Sequence, residues 1–267
     1  MSDVQLPPRP ARSRFAIAIA IAFVAMTVYS AARIDFSLTG LIDAFGRRNP
    51  VAKGLTTIEW GEMFSQRSRS AFLETLQLAI LGTTAGVILA LPLALWATTT
   101  GNPYRVPRML LRGFNNVIRA IPDLLWAGLF VLGVGIGALP GVLALTFFSL
   151  AVVSKLTADV LDGIDQGPIE AAHAAGARHT QMLRTAVVPQ ILPAYASFSL
   201  YAFELNLRAS AVLGFVGAGG IGTRIDYFRN RGEIGNGWGH VWGLVFMFFL
   251  IVFLVERLSV ALRRRLV

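Results

Sequence analysis

Glu170-Ala-Ala-His-Ala-Ala-Gly-Ala-Arg178, followed by Val188-Pro189, decides how this chain is read. The segment is small, weakly apolar and charged, and it lies between long apolar runs. It reads as a water-facing helix–turn–helix on a loop joining two membrane spans. Local physics builds it. Gly167 serves as N-cap and Pro168 suits the first helical position, where a missing N–H costs nothing. Glu170 then sits in the first turn, where a carboxylate complements the helix dipole. Ala171, Ala172, Ala174 and Ala175 favour helix and leave a thin surface that another protein can approach closely. Gly176 permits a sharp bend. A second helix runs through Arg178 and Arg184 to Pro189 and Pro193, which kink the following span near its start. Glu-Ala-Ala alone reads as an ordinary alanine-rich surface helix; Gly176, Pro189, the two apolar flanks and a cytoplasmic side reverse that reading towards a docking element.

Composition points to the same class. Of 267 residues, 55% are hydrophobic and 15% charged, with mean hydropathy +0.61. Soluble domains carry about 25% charge. The apolar excess gathers into runs long enough to cross a hydrocarbon core, which takes about 20 helical residues. The fold class is an all-α membrane protein with about six transmembrane helices, and one membrane domain fills the chain. The net charge of +9 comes almost wholly from arginine, Lys53 and Lys155 being the only lysines. These arginines cluster at span ends, which the positive-inside rule explains without nucleic acid. With no cysteine, disulfides, zinc fingers and cysteine nucleophiles are excluded.

The runs divide the chain. Residues 1–14 are a Pro-rich basic cytoplasmic tail. Residues 15–32 are a first span, or a signal peptide with Ser30-Ala31-Ala32 as its cleavage site; the spans that follow favour a retained helix. The rest of 15–67 is an external segment with a short amphipathic stretch (Leu38, Leu41, Ile42, Phe45) suited to an interface. The membrane domain proper is 68–262, with spans expected near 70–97, 108–137, 140–160, 186–212 and 241–260. Its polar loop is 161–184, residues 213–240 are Gly-rich and irregular, and 263–267 are a basic tail. Arg105, Arg108 and Arg112 follow the second span, and Arg263-Arg264-Arg265 end the chain. That asymmetry places both termini and the 161–184 loop in the cytoplasm of a multi-pass membrane protein.

The spacing of Glu170, Ala171, Ala172, Gly176 and Pro189 resembles the EAA loop of importer-type ABC permeases; Ala186 and Val188 stand where that family usually has Ile and Leu. Over about 68–262 the chain is similar to phosphonate-type permeases in particular. The segments that carry this are Glu74-Thr-Leu-Gln-Leu-Ala79, Ala90-Leu-Pro-Leu93, Arg119-Ala-Ile-Pro122, Gly141-Val-Leu-Ala-Leu145, Lys155-Leu, Gly167-Pro-Ile-Glu170, Phe203-Glu-Leu-Asn-Leu-Arg-Ala-Ser210 and Gly214-Phe-Val-Gly-Ala-Gly-Gly-Ile-Gly222. The resemblance implies the type I importer permease fold, a place in the bacterial inner membrane and a second permease copy. It also implies two ATPase subunits, which hold ATP and magnesium so that this chain has no cofactor, and an extracytoplasmic substrate-binding protein. It implies that Glu170, Ala171, Ala172, Gly176 and Arg178 couple to the ATPase, and that the cargo is phosphonate or a related oxyanion such as phosphite or phosphate. Methionine-type permeases share the loop and are the alternative.

Intramembrane charge is the second signal. Glu204 and Arg208 fall inside the fifth span, where a charge costs about 2.5–3.5 kcal/mol and needs a partner or water. Their i,i+4 spacing predicts an ion pair along one helix. Two roles stay open: a self-neutralised pair facing the bundle, or a pathway in which Arg208, with Asn206 and Ser210 nearby, meets an oxyanion bidentately. Arg119 and Asp123 repeat the spacing in the third span beside Pro122, either stabilising a kinked helix or forming part of the pathway or a gate. Gly217, Gly219, Gly220 and Gly222 allow a tight re-entrant or gate segment at the outer face.

Other chemistries fail on local grounds. Gly217-Ala-Gly-Gly-Ile-Gly222 fits a dinucleotide pattern but has no strand before it. Neither lysine stands in a phosphate loop, so a motor must be another chain. His173, His179 and His240 lack carboxylate or cysteine neighbours at ligand spacing. No nucleophile–base constellation for a membrane enzyme is present, and no internal repeat supports an ion-coupled secondary transporter.

Overall fold

The structure, a computed structural model, describes residues 14–34, 37, 39, 40, 42, 49–232 and 234–266. The tail before Arg14, and Leu38, Leu41 and Phe45 of the expected interfacial stretch, lie outside them. Every described element is helical. The chain divides into two compact units, residues 1–52 and 53–267. In the first, α1 (Arg14–Arg33) is a 20-residue apolar helix with no buried residue. That length spans about 30 Å, enough to cross a bilayer core. The short helix α2 (Pro50–Thr56) runs across the boundary between the units.

The second unit is a bundle. Its elements are α3 (Trp60–Met63), α4 (Gln66–Trp96), α5 (Arg105–Ala120), α6 (Asp123–Val134), α7 (Ala138–Asp162), α8 (Gly167–Ala174), α9 (His179–Met182), α10 (Val188–Leu213), α11 (Ile221–Arg229) and α12 (Gly237–Leu266). The centre is the pair α4 and α7. On α4, Ala79, Gly82, Gly86, Ala90 and Ala94 recur on one face and are buried. A Cβ on Gly82 would stand 2.5 Å from the Leu145 Cβ, and one on Gly86 2.5 Å from the Ser149 Cβ. Small residues four apart therefore let two backbones meet, which is how membrane helices gain packing without a hydrophobic drive between them.

Among the described residues, five helical stretches are long and apolar enough to cross a membrane, and a sixth if α5 and α6 count as one span. The third span, expected over 108–137, divides at Pro122, where α5 and α6 meet at 91°. The cause is Pro122, which disfavours helix at the residue before it. Ile121 is extended (φ −94°, ψ 123°). The Trp126 indole N–H donates to the Ile118 carbonyl (3.2 Å) and braces the bend. Helix α5 is amphipathic, burying only Asn115 and Ile118 while Val106, Met109, Leu110, Phe114 and Val117 stay exposed along one side.

The expectation for 213–240 is corrected. A 3₁₀ turn (Gly214–Val216) leads through glycines into α11, and a second (Ile234–Asn236) into α12. The apolar period of α11 is hidden in the sequence among glycines and arginines, yet Ile221, Ile225 and Phe228 pack with Val241 and Leu244. At the far end, α12 continues to Leu266, so Arg263–Arg265 are its last turn rather than a tail. Residues 179–216 form one long stretch containing a π-helical turn at Leu183–Val187. Pro189 has no N–H for the Thr185 carbonyl, and the wider turn absorbs that loss next to the expected kink.

Candidate functional site

The loop between α7 and α10 carries the segment that opens the sequence reading. Helix α8 is capped by Gln166, not by Gly167 as the sequence suggested. The reason is Asp165, whose Oδ1 accepts the Gly167 N–H (3.0 Å) and so ends the preceding turn one residue early. Pro168 and Glu170 lie in the first turn as expected. One side chain anchors the helix. Ile169 is 6% exposed and packs into a cluster with Leu161, Met182, Val187 and Ile191, while Ala172 leans on the same cluster. Glu170, Ala171, Ala174 and Ala175 face outward. The chain then turns at Gly176 (φ +76°), whose N–H donates to the His173 carbonyl (2.9 Å). Nothing lies within 4 Å of where a Cβ on Gly176 would be, so only backbone strain opposes a side chain there. Arg178 is exposed, and its N–H donates to the Gln181 side chain (2.8 Å) to start α9. The result is a projecting, small-surfaced helix on a rigid root. Ile169 and Met182 are the parts that sequence reasoning missed, although they are the apolar residues of an otherwise polar stretch.

The intramembrane charges pair differently from the expectation. Glu204 and Arg208 do not bridge to each other. Glu204, 7% exposed, pairs with Arg263, and Arg208 pairs with Glu256 (2.9 Å). Both partners are on α12, which runs antiparallel to α10 and offers acid against base in reverse order. Two cross-helix pairs satisfy both charges and tie two spans together, whereas an i,i+4 pair would leave Glu256 and Arg263 without these partners. Asn206 and Ser210, expected beside a pathway, are fully buried within this chain. The Asn206 amide donates to Thr83 Oγ1 (2.8 Å) on α4 and to Ser149 Oγ (2.7 Å) on α7. Ser210 donates only to the Leu207 carbonyl of its own helix (2.8 Å). Arg119 and Asp123 are separated by the bend, and no ion pair joins them: Arg119 is exposed and Asp123 accepts the Leu124 N–H (2.9 Å) at the start of α6. Of the pathway candidates, Arg208 keeps a half-exposed guanidinium.

At the opposite end, the glycines form a packed turn. Gly217, Gly219 and Gly220 have φ of +83°, +84° and +78°. The Ile221 N–H donates to Thr75 Oγ1 (2.7 Å), which gives the start of α11 a partner on α4. A Cβ on Gly222 would stand 2.0 Å from the Ala211 carbonyl oxygen. Beside this turn, Glu62 Oε1 accepts from Arg224 (2.6 Å), Ser65 (3.0 Å) and Ser68 (3.1 Å). Burial alone would raise the Glu62 pKa, but these hydrogen bonds and the Arg224 charge together hold the carboxyl below its usual value. Sequence reasoning missed this knot, because Arg224 lies far along the chain from Glu62, Ser65 and Ser68. Among the described residues no group of three or more histidine, cysteine or acidic residues could hold a metal ion.

Residues 82–267 match the profile of the family described as binding-protein-dependent transport system inner membrane component. The chain is 40% identical over 238 residues to a phosphate-import permease protein of Mycolicibacterium smegmatis, covering 89% of this chain and 44% of that one. It is 42% identical over 153 residues to a phosphite transport system permease protein of Stutzerimonas stutzeri, covering 57% of this chain and 56% of that one. The chain thus spans about half the length of these curated relatives. Its fold is similar to a chain of the inward-facing MetNI methionine ABC transporter, at TM-score 0.64 and 22% identity over 76% of this chain and 100% of that one.

Proposed function

The chain belongs to the family of binding-protein-dependent transport system inner membrane components, and on that premise we propose that it is the permease subunit of an ABC importer for phosphonate or a related phosphorus oxyanion. The observation that carries the reading is the exposed alanine face of α8, pinned by Ile169 and ended by Gly176 in the left-handed region. A thin helix on a firm root can be pushed by a docked protein without being crushed. Two ATPase subunits, binding ATP and magnesium, would hold it in their cleft. Their closure would displace α8 and rock the spans of a permease pair between outward- and inward-open states. An extracytoplasmic binding protein delivers the cargo on the other side. The arginine asymmetry supports cytoplasmic termini.

Cargo rests on the relatives named for phosphate and phosphite. A methionine permease is the second reading, supported by curated relatives of that name at 27–28% identity. Identifying the ligand of the cognate binding protein decides between them.

The coupling role has a direct test in vesicles containing the whole complex. Gly176→Val and Glu170→Ala are expected to leave the complex assembled and to lower uptake per ATP hydrolysed. Gly176→Asn should be milder than Gly176→Val, because asparagine tolerates positive φ. Normal uptake in both Gly176→Val and Glu170→Ala would remove the helix from the coupling path.

Arg208 is the pathway residue that this reading retains. Glu256 occupies one edge of its guanidinium, leaving a weak oxyanion site of the kind transport needs. Arg208→Ala is expected to cut uptake about tenfold with the ATPase still co-purifying; unchanged uptake would exclude it.

A further inference from the structure

The coupling helix hangs from the end of α7, and at that point one side chain joins three helices. Arg112, on α5, donates through Nε to the Ala97 carbonyl at the end of α4 (2.6 Å). Through one terminal nitrogen it donates to both carboxylate oxygens of Asp162 (3.2 and 3.1 Å). Asp162 is the last residue of α7, four residues before the Gln166 cap of α8. We propose that Arg112 and Asp162 form a clamp that positions the coupling helix and passes its displacement to the bent pair α5–α6. The proposal rests on the coupling reading above and names the device by which that reading reaches the bundle.

Three observations support it. The guanidinium is a planar fork, so the two acceptors fix its direction as well as its distance. Ile118, one of the two residues that α5 buries, packs with Leu150, Ala151 and Val153 of α7 near the bend. The bond between Arg112 and Asp162 therefore adds a link at the loop end of the helix, while the Trp126 brace holds the bend end. The clamp also borders two cavities. Asp162 lines a polar cavity of about 190 Å³ on one side, shared with Arg112, Asn115, Ser154 and Lys155. On the other side it lines a pocket of about 490 Å³, with Gln166, Ile169, His173 and His179 from the loop itself. Asn115, which lines the first cavity, is 7% exposed and its Oδ1 has no protein partner. Both members of the pair are half exposed, at 49% and 42%. Such a pair contributes little net stability. It holds a direction and can open and re-form within a transport cycle without large cost.

The test uses the assembled transporter in vesicles and measures uptake per ATP hydrolysed. Asp162→Asn keeps the shape but loses the charge and is expected to lower that ratio about fivefold. Asp162→Glu keeps a carboxylate within reach and is expected to hold it within about twofold of the parent. Arg112→Lys, which cannot serve Ala97 and Asp162 together, should fall with Asp162→Asn. The clamp is overturned if Asp162→Asn keeps the parental ratio, or if Asp162→Glu falls as far as Asp162→Asn. Glu170→Ala is run beside them: if it uncouples and Asp162→Asn does not, only the clamp fails, and if Glu170→Ala and Gly176→Val are both normal the coupling reading fails. Should Asp162→Asn not assemble, amide exchange over residues 163–176 of the full-length permease in micelles decides. About fivefold faster exchange in Asp162→Asn but not in Asp162→Glu is expected, and equal rates overturn the clamp.

Discussion

Replacing Gly222 by alanine is expected to abolish the folded bundle. The new methyl would lie 2.0 Å from the Ala211 carbonyl oxygen and 2.8 Å from the Gly214 Cα. Both are backbone atoms in adjoining segments, so no rotamer change can relieve the clash. Overpacking in a well-filled core costs about 1–3 kcal/mol where side chains can shift. Here α11 must move as a body, breaking its Thr75 hydrogen bond and its apolar contacts with α12. The cost is expected at or above the top of that range. Gly128→Ala is the matched control, because its Cβ would meet nothing within 4 Å in this chain. The check is the fraction of detergent-extracted protein that elutes as a single species on size exclusion. Near-complete loss is expected for Gly222→Ala and parental behaviour for Gly128→Ala. Equal recovery would mean that the close packing of the turn does not hold the bundle.

The glycine turn also marks where the sequence was legible and where it was not. Its glycines announced a tight reversal, and three of them adopt positive φ. The helix that follows was not foreseen, because Thr223, Arg224 and Asp226 interrupt an apolar period that only burial of Ile221, Ile225 and Phe228 brings out. The apolar runs gave the spans to within a few residues at α4, α7 and α12 because a bilayer core demands length and composition together. The third span divides for a local reason: Pro122 turns Ile121 out of the helix, and average hydropathy carries no measure of the 91° bend that results. The loop at 161–184 read well since its signals are neighbours in sequence. The charges read poorly because their partners are not. Glu204 and Arg208 satisfy an i,i+4 rule, but a helix passing antiparallel with Glu256 and Arg263 offers both of them interhelical partners. Intramembrane charge correctly predicted that partners exist and could not say where.

Asn206→Ala is the second large effect expected, and it separates a structural from a transport role. The Asn206 side chain is fully buried and donates to hydroxyls on two other helices at 2.7 and 2.8 Å, with the Leu145 carbonyl at 3.4 Å. Interhelical hydrogen bonds in membrane proteins average about 0.6 kcal/mol and reach about 1.7. Two short ones, with the cavity left by a lost amide, put the cost near 2–4 kcal/mol. Ser210→Ala, three residues beyond Leu207 on the same helix, removes only a bond to its own helix and should cost under about 1 kcal/mol. Asn206→Asp should be worse than Asn206→Ala, since a carboxylate would face the Leu145 carbonyl in a site that water does not reach. Thermal midpoints in micelles measure all three. A lining residue of a transport path would instead lower uptake at unchanged midpoint. If Asn206→Ala and Ser210→Ala shift the midpoint equally while only Asn206→Ala loses uptake, the amide belongs to the path and the three-helix knot is not what holds these spans together.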